Sequence, residues 1–235
     1  MEAKDKIILA LDVSSLDEAV SLISDLSPYV GCFKVGLELL TASGALDVIV
    51  LIHKLGGKIF YDGKFCDIPN TVGKASKVVS DHGVHMFNVH ASSGSESMKA
   101  AAKNKKNSIL LAVTVLTSLS DEESKYIFGK SSKNKVLQFA HDALNAGCDG
   151  IVCSPKELEV LRNEKALANL KMIVPGVRPL WASIGDQNRV MTPAEAIKAG
   201  ATALVIGRPI TQPPKEIGTP IDAAKKIIEE IQSVL

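Results

Sequence analysis

The sequence predicts an α/β fold of the (β/α)8 type, a TIM barrel, as one domain over residues 1–235. Three observations carry this. Short runs rich in β-branched residues alternate with amphipathic stretches; there are eight of them; and they are nearly all-apolar, as strands covered on both faces of a parallel sheet must be. A chain of 235 residues, 46% of them hydrophobic, can bury a sizeable core at this length.

The runs are KIILALD (6–12), CFKVG (32–36), KIFYDGK (58–64), VHMFNVHA (84–91), ILLAVTV (109–115), GIVCS (150–154), MIVPG (172–176) and ALVIGR (203–208). Helix starts punctuate them. Ser15/Glu18, Ser154/Glu157 and Thr192/Glu195 have the spacing of a capping box, in which a hydroxyl accepts an orphan amide and a Glu reaches back. The last two place Pro at the first helical position, where its missing N–H costs nothing. Gly83, Gly147 and Gly200 each end an amphipathic segment before a strand. Two connections are longer. Residues 117–133 hold a short extra helix capped by Ser120 and Glu123, and the polar segment 178–191 contains Gly185 and the only Trp; long loops in a compact barrel often act as lids.

Charge and cysteine usage narrow the function classes. With 27 basic and 26 acidic residues the net charge is +1, which leaves no electrostatic footprint for nucleic acid or a membrane surface. The four cysteines show no CxxC or Cys/His ligand spacing and read as reduced, mostly buried thiols, as in a cytoplasm. The first residues turn polar too soon for a signal peptide, and no apolar run approaches a membrane span. The expectation is a soluble, cytoplasmic protein.

In such a barrel the active site lies at the C-terminal ends of the strands. Those ends hold Asp12, Lys34, Asp62 with Lys64, His90, Thr114 and Thr117, Ser154, Pro175 with Gly176, and Gly207 with Arg208. The bland alternatives are specific. Asp12 suits a helix cap, His90 a hydrogen-bonded core histidine, and Arg208 a surface ion pair. Lys34 is harder to dismiss, because a Lys within a buried strand needs a partner or a cavity. Asp62 and Lys64, two apart on a strand, share a face about 7 Å apart. A buried ion pair is weak evidence for stability, so with Lys34, Asp12 and Asp67 close by they read as a charge network kept for chemistry. Gly207-Arg208 after the eighth strand fits a phosphate site, with Arg178 as a second cation and Gln187 closing from the polar loop.

The segment Asp62-x-Lys64-x-x-Asp67-Ile68-Pro69-Asn70-Thr71 resembles the signature of the orotidine 5'-phosphate decarboxylase family. The resemblance extends through LALD (9–12), FKVGLELLTASG (33–44), TVLTS (114–118), VPGVRP (174–179), GDQNRVMTP (185–193) and VIGRPI (205–210), in the family's order. It implies decarboxylation of orotidine 5'-phosphate to UMP and CO2, the last step of de novo pyrimidine nucleotide synthesis, with no metal or other cofactor. By the same resemblance Lys64 protonates C6 of the pyrimidine, Asp62 faces the departing carboxylate, and Lys34 and Asp67 hold both in place. Asp12, Lys34, Asp67 and Thr71 contact the ribose hydroxyls, Ile68 is a further substrate-binding residue, and Thr117 meets the nucleotide near the base or the lid. Pro175, Arg178, Gln187, Gly207 and Arg208 surround the pyrimidine edge and phosphate. It further implies a homodimer in which Asp67 and Thr71 reach the neighbouring subunit's site. One departure is Gly63, where the family usually carries a larger apolar residue; alternation turns that position away from the site, so the expected cost is packing, about 1 kcal/mol. The rival readings are a metal-dependent keto-sugar phosphate decarboxylase, which would share Asp-x-Lys-x-x-Asp but not Ile-Pro-Asn-Thr, and a catalytically dead phosphate-ligand binding barrel.

Overall fold

The structure, a computed structural model, describes residues 2–182 and 191–235. Strands β1 (Ile7–Leu11), β2 (Cys32–Val35), β3 (Ile59–Phe65), β4 (Met86–His90), β5 (Ile109–Val113), β6 (Gly150–Val152), β7 (Lys171–Pro175) and β8 (Ala203–Ile206) close into a parallel barrel in chain order. β8 returns to pair with β1 through Ile7 and Leu204. Each expected run matches one strand; six contain it, mostly trimmed at the C-terminal end, whereas β3 runs one residue further, to Phe65, and β7 starts one residue earlier, at Lys171. Asp12, Gly36 and Gly207 therefore stand just above the strands, and Arg208 opens the short helix that follows β8.

Alternation along the strands separates two apolar layers. One side of each strand packs outward against the helices, with Leu9, Phe33, Phe87, Leu110 and Leu204 almost fully buried. The other side points into the barrel, where Ile8, Cys32, Phe60, Met86, Leu111, Ile173 and Ala203 form a closed apolar floor. A strand returns to the same face every second residue. Two residues above that floor come Ala10, Lys34, Asp62, Asn88 and Val113, so the interior changes from apolar plug to polar mouth within one pleat.

The helix signals hold. The Ser15 hydroxyl accepts from Glu18 N–H at 3.3 Å to open the helix Leu16–Leu26. Thr192 and Glu195 form the reciprocal box before Pro193–Lys198. Ser120 and Glu123 do the same for Asp121–Phe128, the extra helix expected in the first long connection. Gly83, Gly147 and Gly200 end their helices with φ of 73°, 84° and 103°. After β2 the structure has two helices, Leu37–Ser43 and Ala45–Lys54, because Gly44 breaks the run at φ 79°. Cys32, Cys148 and Cys153 are buried and Cys66 is exposed. Burial pushes the Cys32 and Cys148 thiols up to about 12. Among the described residues no helix is long and apolar enough to cross a membrane.

β3 departs from the regular alternation. Its pairing with β4 runs Phe60 to Met86 and Tyr61 to Phe87, then resumes at Phe65 to Val89, so β3 carries two extra residues across the break. Lys64, inside it, has φ 50°. Gly63 nevertheless lies on the outer side, as alternation predicts, beside Tyr61 and Phe65 of the layer under the helices. A Cβ at Gly63 would lie 2.4 Å from Tyr61 Cε1 and 3.3 Å from Phe65 Cε1. Tyr61 packs on Phe65 with ring centroids 5.8 Å apart, and Phe65 on Phe87 at 6.1 Å. The space that a larger residue would use is taken by the Tyr61 ring, which corrects the expectation of a mere packing deficit. Gly63→Leu is expected to destabilise the protein by about 1–3 kcal/mol through overpacking, read by urea unfolding. In a double-mutant cycle with Tyr61→Ala the two changes should couple favourably; strictly additive effects would contradict this packing.

Candidate active site

The mouth of the barrel is built around Asp62, whose side chain is only 10% exposed. Lys64 Nζ lies 2.8 Å from its Oδ2, and Lys34 Nζ, from the neighbouring strand, 3.4 Å from the same atom. Lys34 also meets Asp12 Oδ1 at 3.1 Å. Charges thus alternate from Asp12 through Lys34 and Asp62 to Lys64, across the ends of β1, β2 and β3. Pairing of this kind is what lets a carboxylate stay ionised away from water.

Two residues that sequence reasoning missed complete the arrangement. Asn88, on β4 and 1% exposed, donates from Nδ2 to Asp62 Oδ1 at 2.6 Å and accepts the Lys64 backbone N–H on Oδ1 at 2.8 Å. That second bond falls where Lys64 takes its positive φ, a conformation that costs of order 1 kcal/mol or more for a non-Gly residue unless its surroundings hold it. Gly36 is the other. A Cβ there would lie 2.8 Å from Lys34 Nζ, 3.6 Å from Asp12 Oδ1 and 3.9 Å from Asp62 Oδ2. The absent side chain leaves the room in which the Lys34 ammonium sits between its two carboxylates.

The other expected residues divide. Thr117 and Pro175 line a cavity of about 210 Å³ over Lys34, Asp62, Lys64 and Asn88, whose remaining wall is apolar and includes Val113, Val152 and Val205. Pro175 also lines a second hollow that contains Asp12, Arg178, Gly207 and Arg208. Gly207 precedes the short helix Arg208–Thr211 and lies so close to β1 that a Cβ would be 3.4 Å from Ala10 Cβ. Gln187 lies outside the described residues.

Asp67, Ile68 and Thr71 are not brought to this cavity. Asp67 is exposed and its Oδ1 accepts from the Ile68 N–H at 2.6 Å, while its own carbonyl accepts from Ser97 Oγ at 2.8 Å. Ile68 is 66% exposed, and Thr71 is exposed on the helix Pro69–Asp81. Within one chain the charge network is Asp12–Lys34–Asp62–Lys64, without Asp67. The strand end delivers Asp62 and Lys64 to the mouth, and the next three residues carry the chain over the rim.

Against this geometry, the comparisons with known proteins decide the family. A model of the orotidine 5'-phosphate decarboxylase / HUMPS family matches residues 5–227. The chain belongs to the orotidine 5'-phosphate decarboxylase / HUMPS family. It is 42% identical to the orotidine 5'-phosphate decarboxylase of Syntrophomonas wolfei, over 99% of this chain and 100% of that one. With the enzyme of the same name from Heliobacterium modesticaldum it shares 44% identity over 98% and 97% of the two chains. The crystal structure of orotidine 5'-phosphate decarboxylase from Lactobacillus acidophilus superposes with a TM-score of 0.82 at 33% identity, covering 96% of this chain and 98% of that one. The family match thus runs over nearly the whole chain, barrel ends included.

His90 stands half-buried at the end of β4 and reports on the network. Burial holds its imidazole below the ordinary 6.5, the Lys64 ammonium lowers it further, and Asp62 partly offsets them. The unfolded chain therefore takes up this proton first, so the stability from neutral His90 is full above pH 6.5 and is lost as pH falls below it. NMR titration should give a His90 midpoint below 6.5 that rises in Lys64→Met. A midpoint indifferent to that substitution would place the ammonium elsewhere.

Proposed function

We propose that this chain decarboxylates orotidine 5'-phosphate to UMP and CO2, the last step of de novo pyrimidine nucleotide synthesis, without a metal or organic cofactor. One observation carries the reading: the Lys64 ammonium, 2.8 Å from Asp62, overlooks a largely apolar cavity beside the hollow that holds Arg178 and Arg208. A phosphate gripped by the two guanidiniums would set the pyrimidine over Lys64. The C6 carboxylate then lies against Asp62, and its charge is lost from that spot as CO2 leaves. The electron pair of the broken bond stays on C6 beside the ammonium. Lys64 Nζ gives its proton to C6, and the amine regains one from water.

The interactions favour the transition state over the bound substrate, which is what accelerates a reaction. A unit charge pair 4 Å apart at an effective dielectric near 20 contributes about 4 kcal/mol, whereas enzymatic accelerations require about 8–23 kcal/mol. Lys64 facing the carbanion therefore supplies part. The remainder comes from the preorganised Asp12–Lys34–Asp62 charges and from phosphate binding energy spent on closing the site.

The active unit in this reading is one barrel domain per chain, paired as a cytoplasmic homodimer with shared sites. The support is the position of Asp67, Ile68 and Thr71, exposed on the rim and turned away from their own network. Asp67, Ile68 and Thr71 would complete the ribose side of the partner's cavity, with Thr117 and Pro175 closing over the base from within the chain.

Loss of orotidine 5'-phosphate absorbance on adding the protein, unchanged by chelator, is the expected result; no turnover would sink the reading, and chelator sensitivity would favour the metal-dependent rival. Lys64→Ala should reduce turnover by at least about a thousandfold while UMP binding stays measurable. Mixing a Lys64→Ala chain with an Asp67→Ala chain should restore part of the activity, since one of the two sites in a mixed dimer is intact. No recovery after subunit exchange would argue against sharing.

A further inference from the structure

We propose that Asn88 is a positioning residue for the decarboxylation, its single amide holding the Asp62 carboxylate and the Lys64 backbone at once. The inference rests on the reaction proposed above. Asn88 sits two residues above Met86 of the apolar floor, on the inward face of β4. An amide there has no apolar packing to justify it, and both of its polar ends are engaged: Nδ2–H to Asp62 Oδ1 at 2.6 Å, Oδ1 from Lys64 N–H at 2.8 Å.

The partners leave it one orientation. A carboxylate only accepts and a backbone N–H only donates, so the amide oxygen must face Lys64 and the nitrogen Asp62. Among residues of this size only an amide offers a neutral donor and an acceptor at that separation whatever the pH. Leu is similar in size but has neither group, and a carboxylate at position 88 would repel Asp62. The two bonds span the register break between β3 and β4, where Lys64 has φ 50° and the strand ladder is interrupted. Asn88 thereby bridges that gap and ties the position of the proton-donating ammonium to that of the carboxylate facing the leaving group. Oδ2 of Asp62 remains for Lys34 and Lys64.

The test compares wild type, Asn88→Ala and Asn88→Asp, with kcat, KM, UMP affinity and thermal stability measured for each. In Asn88→Ala, kcat per folded site is expected to fall about 10- to 100-fold, with UMP affinity changed by less than about threefold. The isosteric Asn88→Asp keeps the shape and guards against misfolding. While its carboxyl holds a proton it can still donate to Asp62; as pH rises and that proton leaves, the two carboxylates repel and the rate should fall. The charged groups facing this point are Lys34 from β2, Lys64 from β3, Asp12 through Lys34, and His90 from β4. All are common to wild type, so the difference between the two pH profiles isolates position 88. Rescue at low pH and loss at high pH support the role. Wild-type kcat in Asn88→Ala, an equal loss of kcat and UMP affinity, or an Asn88→Asp profile parallel to wild type overturns it. A lower melting temperature with wild-type kcat per folded site marks a merely structural residue and overturns it too. Absence of wild-type turnover would overturn the reaction itself and this role with it, and is thereby told apart from failure of Asn88 alone.

Discussion

A carboxylate removed from water has to be met by charge or by hydrogen bonds, and at Asp62 this is done from three strands at once. Lys34 of β2, Lys64 of β3 and Asn88 of β4 all converge on it within 3.4 Å. None can do so unless neighbouring strands are in the right register, and the register is set by the apolar residues two positions below. The closure of the barrel and the pairing of its central acid are one constraint. Breaking the group at either end would leave uncompensated charge in a half-buried place, which costs far more than the intact pair contributes.

Most of this was legible in the chain before any coordinates. Eight apolar runs and their caps identify the barrel, and polar residues such as Asp12, Lys34 and Arg208 at the ends of Ile/Val/Leu strands stand out against a simple background. Asn88 did not stand out, because a lone Asn in a strand has no spacing rule attached to it; its meaning depends on which residues of β3 lie opposite, and those follow from a register break that no period reveals. Gly36 was equally silent. A glycine after a strand reads as a turn residue, and only the position of the Lys34 ammonium shows that a side chain there would intrude.

Asp67 illustrates the opposite case. Its spacing from Lys64 in the sequence suggests a fifth member of one network, yet the chain turns over the rim between them and Asp67 ends up bonded to the backbone beside it. Short separation along a chain implies proximity only while the chain stays in one element. At Gly63 alternation assigns the correct, outer face, but not the neighbour that fills the space there, the Tyr61 ring.

The floor made by Ile8, Cys32, Phe60, Met86, Leu111, Ile173 and Ala203 closes the barrel below the charged layer. A packed barrel is not a pore. Among the described residues the barrel accordingly has one door: reactant must arrive, and both a gas and a nucleotide must depart, through the same opening. Small neutral CO2 is the easier passenger along the apolar wall; a charged nucleotide is the slower one. Traffic at that doorway, rather than bond breaking behind it, then becomes a natural place for turnover to be throttled.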